Sequence, residues 1–266
     1  SVLFVACISR VQHSETSTST AFRILVDGST SVAMMNTGRA DGGNYHSIAL
    51  HGISAGLGAG MHTASLQYVT ASGIAYVPAH SDPIGVGALS FTAESLPATQ
   101  VSTSHRFVST PETGTSVSWA SLPGGATTIA FTTDASSDSV VFFADISRIE
   151  HLSGNVNTFL RIVVDGSTVI AYSNTADASG AGFQGRSFHG VASGLGTGSH
   201  TAELQYKTSS GTVRIPGHSS GAEGYVRLSS LRAPNGGIST SVSFPSVEYS
   251  GTSQVWASLP LGPMRT

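Results

Sequence analysis

Charge is what this sequence has least of. Asp, Glu, Lys and Arg make up 10% of its 266 residues, against roughly 25% in an ordinary globular protein. Lys207 is the only lysine, and 12 basic against 15 acidic side chains leave a net charge of −3. The arginines are scattered, so no basic cluster could neutralise a row of phosphates, and nucleic acid is not expected as a partner. Cysteine is nearly absent too. Cys7 stands alone, which excludes an intrachain disulfide. Within LFVACI it reads as a buried thiol, with an intermolecular bond as the alternative. No apolar run reaches 18 residues, so no membrane-spanning helix is expected. Helical periodicity is missing as well. The 31 glycines, with dense Ser and Thr, deny helices and supply turns. No basic stretch followed by an apolar one marks a signal peptide. The sequence reads as cut or processed from a longer chain, or as a chain whose missing strand comes from a neighbour.

Catalytic signatures are also lacking. There is no HExxH, CxxC, GxxxxGK[ST], or GxGxxG between a strand and a helix. GISAG at 52–56 fits GxSxG, but that motif needs a strand-to-helix turn, and here a Gly-rich turn leads to another strand. No pair of carboxylates recurs in a way that would suggest glycoside hydrolysis. Asn-x-Ser/Thr does not occur. An enzyme is not expected.

What is present is a duplication. FRILVDGSTSVAMM and LHGISAGLGAGMHTASLQY, within residues 22–68, return as FLRIVVDGSTVIAYS and FHGVASGLGTGSHTAELQY, within 159–206. Asp27 pairs with Asp165, His51 with His189 and His62 with His200, all at an offset of 138 (165−27). The register holds without a gap from Ser1/Ser139 to His80/His218. Such a period is that of a whole domain, not of a solenoid repeat. Residues 1–123 form the first copy and 124–266 the second. GGATTIAFTTDASSD at 124–138 has no counterpart before Ser1, so the first copy lacks its opening strand. Trp256-Ala-Ser-Leu-Pro repeats Trp119-Ala-Ser-Leu-Pro as the closing strand, and each Trp reads as core or as a sugar platform.

The local patterns are those of strands. SVLFVACISRVQ is a β-branched and aromatic run with both faces covered. In HTASLQYVT, Ala64, Leu66 and Tyr68 alternate with polar residues, the mark of an antiparallel strand with one wet face. Asp27-Gly28 and Asp165-Gly166 predict hairpin turns with positive φ at both positions. Many short strands at regular spacing predict an all-β chain of two tandem antiparallel sandwiches of the jelly-roll kind. The block VDGS followed by GLG(A/T)GxHTAxLQYxTxSG resembles repeated β-sandwich modules of phage and viral fibre proteins and of microbial surface appendages. That resemblance implies jelly rolls in tandem or in oligomers, and no active-site residue.

Eight histidines form four repeat pairs: His13/His151, His51/His189, His62/His200 and His80/His218. They read as structural hydrogen-bonding groups, as metal ligands, or as a pH-sensitive contact. Calcium has two weak candidates, Asp41-Gly-Gly-Asn44 and Asp134-Ala-Ser-Ser-Asp138; no other cofactor is expected. Loops near Asn44, Tyr45 and His46, and near Phe183, Gln184 and Arg186, are candidate interface or ligand-binding positions. A charge-poor surface has weak self-repulsion. The expected function is therefore a non-enzymatic structural subunit of an extracellular, cell-surface or virion-surface assembly: a filament, sheath or fibre built from copies of itself. The alternative is an adhesion module that binds carbohydrate or a host receptor.

Overall fold

The computed structural model describes residues 1–13, 18–37, 46–76, 89–95, 100–108, 111–152, 154, 156–175, 183–216 and 224–233. These residues build an all-β chain of antiparallel sheets, with no helix among them.

The first unit holds seven strands: β1 (Val2–His13), β2 (Thr20–Val26), β3 (Thr30–Asn36), β4 (His46–Ser54), β5 (Ala64–Thr70), β6 (Ala75–Tyr76) and β7 (Leu89–Ser95). One sheet runs β4-β1-β7, with β6 on the far end of β1; the other runs β3-β2-β5. Phe4, Ala6 and Ile8 of β1 meet Phe22, Ile24 and Val26 of β2 between them.

The second unit repeats this plan and adds to it. Its copied strands are β12 (Ser139–His151), β13 (Thr158–Val164), β14 (Thr168–Asn174), β15 (Phe183–Ser193), β16 (Gly198–Thr208), β17 (Val213–Arg214) and β18 (Gly224–Ala233). Four more strands precede them: β8 (Val101–Val108), β9 (Thr113–Gly114), β10 (Ala120–Ser121) and β11 (Thr127–Thr133). β8 pairs with β18, β9 with β17, and β10 and β11 with β16. The expected boundary at residue 123 therefore does not separate the sheets. β8, β9 and β10, expected in the first copy, hydrogen-bond to the second. Their partners sit more than 80 residues downstream, and nothing in a short strand's own pattern names its partner. The closing strand expected at Trp119-Ala-Ser-Leu-Pro shrinks to β10.

Both hairpin turns form as expected: φ is 48° and 71° at Asp27 and Gly28, and 49° and 71° at Asp165 and Gly166. Glycine is required where the two sheets converge at their edges. A Cβ on Gly190 of β15 would lie 2.6 Å from the Ile170 carbonyl oxygen of β14. Gly52 faces the matching residue, Val32, whose Cγ2 would lie 2.8 Å from such a Cβ. A Gly190→Val chain is expected to lose about 1–3 kcal/mol, as overpacking against a fixed backbone does. Urea unfolding would show it, and an unchanged midpoint would contradict the close approach.

The two units meet asymmetrically. The edges β3 and β4 of the first lean on the outer face of β12, β15 and β18 in the second. Gly185 of β15 leaves room for this, since a Cβ there would press on Met35 Sδ and the Asn36 carbonyl oxygen. β12 is thus covered on both faces. β1, its copy, is not, and Cys7 is exposed. The expectation of a buried thiol fails because the unit that would cover that face has been used only once.

Candidate assembly interface

Three sets of residues carry the polar chemistry, and each is positioned by the repeat. The first is a clamp present in both copies. The Asp27 carboxylate accepts from the Thr63 backbone N–H at 2.9 Å and from His62 Nδ1 at 2.7 Å, while His62 Nε2 donates to the Gly58 carbonyl at 2.9 Å. Asp165, Thr201, His200 and Gly196 repeat it at 2.9, 2.8 and 2.8 Å. Both ring nitrogens face acceptors, an arrangement that favours the doubly protonated ring. The Gly58 carbonyl and the Asp27 carboxylate push the His62 pKa up, and Asp165 and Gly196 do the same for His200. These clamps tie the hairpin of β2–β3 to the turn before β5, and the hairpin of β13–β14 to the start of β16.

A raised histidine pKa gives stability that is fully present below about 6.5 and is lost as pH rises through the folded-state value. Thermal unfolding of the natural chain should lose ground as pH rises through that window, and His62→Gln/His200→Gln should flatten the loss. An identical slope in the variant would contradict the clamp.

The second set is buried. His151 Nε2 meets Thr158 Oγ1 at 2.9 Å, and His13 meets Thr20 at 2.8 Å. Burial pushes both pKa values down. These two act oppositely to the clamps: their contribution is lost as pH falls.

The third set lies between the units. Asp145 and Arg227 are each 1% exposed and pair at 2.8 Å. Arg227 also donates to the Val32 carbonyl of β3 at 2.6 Å, and the Tyr225 hydroxyl donates to the same oxygen at 3.0 Å. An edge carbonyl of the first unit is thereby satisfied by the second, which is one way to shield an unpaired strand edge. Ser187 donates to Asp145 Oδ1 at 2.6 Å, and His51 Nδ1 approaches Ser187 Oγ at 2.8 Å and Asp145 Oδ1 at 3.3 Å. The His51 ring lies against Phe143, centroids 4.9 Å apart. Burial pushes the Asp145 carboxyl up, but Arg227, His51 and Ser187 outweigh it and hold the group below the usual carboxylate range. Burial pushes the Tyr225 hydroxyl up to about 12.

A Ser, a His and an Asp are close here, yet this is not a nucleophilic triad. In a triad the carboxylate and the serine use opposite ring nitrogens. Here both face Nδ1, and the serine proton goes to the carboxylate.

The repeat shows that this contact is built on one side only. Asp145, Ser187 and Gly185 occupy the positions of Cys7, Ala49 and Ser47, and Arg227 faces Asp145 where Ser90 faces Cys7. His189, the copy of His51, is exposed. Sequence reading missed Asp145 and Arg227. The signal available was one Asp inside the apolar run SVVFFADIS.

The other candidates are placed as follows. Asn44, Tyr45, His80 and His218 lie outside the described residues, as do Asp41 and Trp256. His46 begins β4. Phe183, Gln184 and Arg186 belong to β15 rather than to a loop. Phe183 lies under the Arg148 guanidinium at 3.6 Å, and Arg186 bonds the Gln184 side chain and, at 2.8 Å, the Asn174 carbonyl. Asp138 accepts from the backbone N–H groups of Asp134 and Ala135 at 2.8 and 3.3 Å, and Arg232 pairs with Asp134 at 2.5 Å. These carboxylates are thus engaged by the loop and its arginine. Among the described residues no group of three or more His, Cys, Asp or Glu is placed to hold a metal ion. Trp119 is half-buried on the second unit, with Arg161 over its ring at 4.3 Å.

Coverage of matched positions differs most at the free edges. β16 is flanked by β13 on one side and by β10 and β11 on the other, whereas β5 pairs with β2 alone among the described strands. Tyr206 is 4% exposed and its copy Tyr68 63%. Leu228 of β18 is 0% exposed, and Phe91, which takes its place on β7, 36%. The same inward-facing side chains are sealed in one unit and open in the other.

Fold and surfaces together define a tandem antiparallel β-sandwich protein in which, among the described residues, one unit is completed and the other is open at one edge. No protein-family model and no curated protein matches the chain. Among solved structures it is similar to the infectious bursal disease virus VP2 subviral particle, at 10% identity and a TM-score of 0.26. That match covers 87% of this chain and 60% of the other. A second is the structure of infectious bursal disease virus Gx strain, at 10% identity and a TM-score of 0.22, covering 86% and 60%. This chain thus spans 60% of the length of both, and at that identity and TM-score neither likeness bears on function. No helix of the described residues is long and apolar enough to cross a membrane.

Proposed function

We propose that this chain is a non-enzymatic structural subunit of an extracellular or virion-surface assembly, joined through contacts between β-sandwich units of successive copies. The observation that carries this reading is the edge of β5 and β7 that no described strand pairs, with Leu66, Tyr68 and Phe91 partly uncovered where the second unit seals the matching positions. An unpaired edge beside uncovered core is a template for another chain. The contact between units supports it further. Edge strands of one sandwich already pack on the sheet face of the next, with a buried ion pair at its centre. Low charge removes the repulsion that would keep such surfaces apart.

Light scattering across a concentration series, with electron micrographs of the same samples, tests the reading. Particles, filaments or discrete oligomers are the expected result. A chain that stays at 27.1 kDa at every concentration, with no ordered assembly on the grid, would defeat it.

A further inference from the structure

The segment that completes the second unit occurs twice in the chain. VSTSHRFVSTPETGTSVSWASLP, residues 101–123, recurs without a gap as ISTSVSFPSVEYSGTSQVWASLP, residues 238–260. The first occurrence supplies β8, β9 and β10 to the second unit. The second occurrence lies outside the described residues. The surface it matches is formed by the edges of β7, β6 and β5 that no described strand pairs, the copies of β18, β17 and β16.

The match holds side chain by side chain. Tyr206 is sealed by Gly114, where any Cβ would strike the Tyr206 hydroxyl and the Pro123 ring; the Ser116 N–H donates to the same hydroxyl at 3.4 Å. Leu122 enters the core that holds Leu204 and Tyr206. Gly251, Ser253, Leu259 and Pro260 are the same residues in the second occurrence, and in the first unit Tyr68 is 63% exposed and Leu66 half-buried. Trp119 rests on Arg161, which Gln205 holds at 2.9 Å. Arg23, the copy of Arg161, is held by Gln67 at 2.9 Å and would offer Trp256 the same platform.

Direction decides whose edge is filled. Residues 96–100 link β7 to β8, and residues 234–237 link β18 to Ile238. Such links reach about 20 Å at most. The first carries the chain off the unit it leaves and onto the unit that follows. An equivalent step from β18 would carry residues 238–260 onto a unit other than the one they leave.

We propose that residues 238–260 of one chain add to the free edges of β7, β6 and β5 in a second copy, in the register by which residues 101–123 complete the second unit. This rests on the self-assembly reading above and names its contact. Thr103 faces Ser229 with their hydroxyls 2.9 Å apart. The matching pair is Thr240 and Thr92.

The test mixes two full-length chains in a Cys7→Ser background, one carrying Thr92→Cys and the other Thr240→Cys. Under mild oxidation the expected product is a covalent dimer of twice 27.1 kDa. A Thr92→Cys and Ser243→Cys mixture, out of register, should give little of it. An excess of the synthetic peptide 238–260 should abolish it and reduce the light-scattering mass of the unmodified chain. If chains associate but the pair does not cross-link between them, or cross-links only inside a chain carrying both substitutions, this inference fails and assembly by another surface stands. Equal cross-linking out of register overturns the register. A chain that never associates removes both readings.

Discussion

Replacing Asp145 by Ala is expected to destabilise the chain by about 3–5 kcal/mol, because it leaves the Arg227 guanidinium, 1% exposed, without its counter-charge. Ser187 and His51 lose their acceptor at the same time. The loss should appear in urea unfolding as an earlier transition. The double variant Asp145→Leu/Arg227→Met should recover most of it, since replacing both members of a buried pair by apolar groups is often close to neutral. A single variant as stable as the natural chain would mean that the pair is not buried between the units. Acid should act in the same direction. Asp145 has its pKa held down by Arg227 against the effect of burial, so its contribution is present above about 4 and is lost as pH falls through the lower folded-state value.

Leu204→Ala is expected to cost about 2–5 kcal/mol, the range for deleting a fully buried leucine, and Leu66→Ala distinctly less. The two leucines are copies on copied strands, 0% exposed for Leu204 and half-buried for Leu66. Only the strands alongside differ: β10 and β11 flank β16, and β5 has no described strand on that side. Circular dichroism in urea, at a concentration where light scattering shows single chains, makes the comparison. Equal losses would mean that the first unit is sealed in the isolated chain. Under assembling conditions the Leu66→Ala cost should rise toward that of Leu204→Ala as the edge is filled.

Much of the strand pattern was legible in the sequence. The two-residue alternation of β5 and β16 places Leu66 and Leu204 inward, and positive φ at Asp27-Gly28 was readable from the dipeptide. The histidine pairs were visible as pairs, but their roles were not. His62 and His200 needed the aspartate of a hairpin 35 residues away, and His13 and His151 needed burial. Cys7 was misjudged because its strand looks double-sided, and whether a second sheet covers that face is not written in the strand.

The duplication, the all-β class, the turns and the shortage of ionic repulsion are properties of the sequence alone, since each depends on residues near one another in the chain. Tertiary structure decided which unit owns residues 101–121, that Asp145 and Arg227 meet across the contact, and that one sandwich is closed while its copy is open. Backbone hydrogen bonding is the physical reason. It makes every strand edge able to accept any other, so pairing is settled by what the rest of the chain brings alongside.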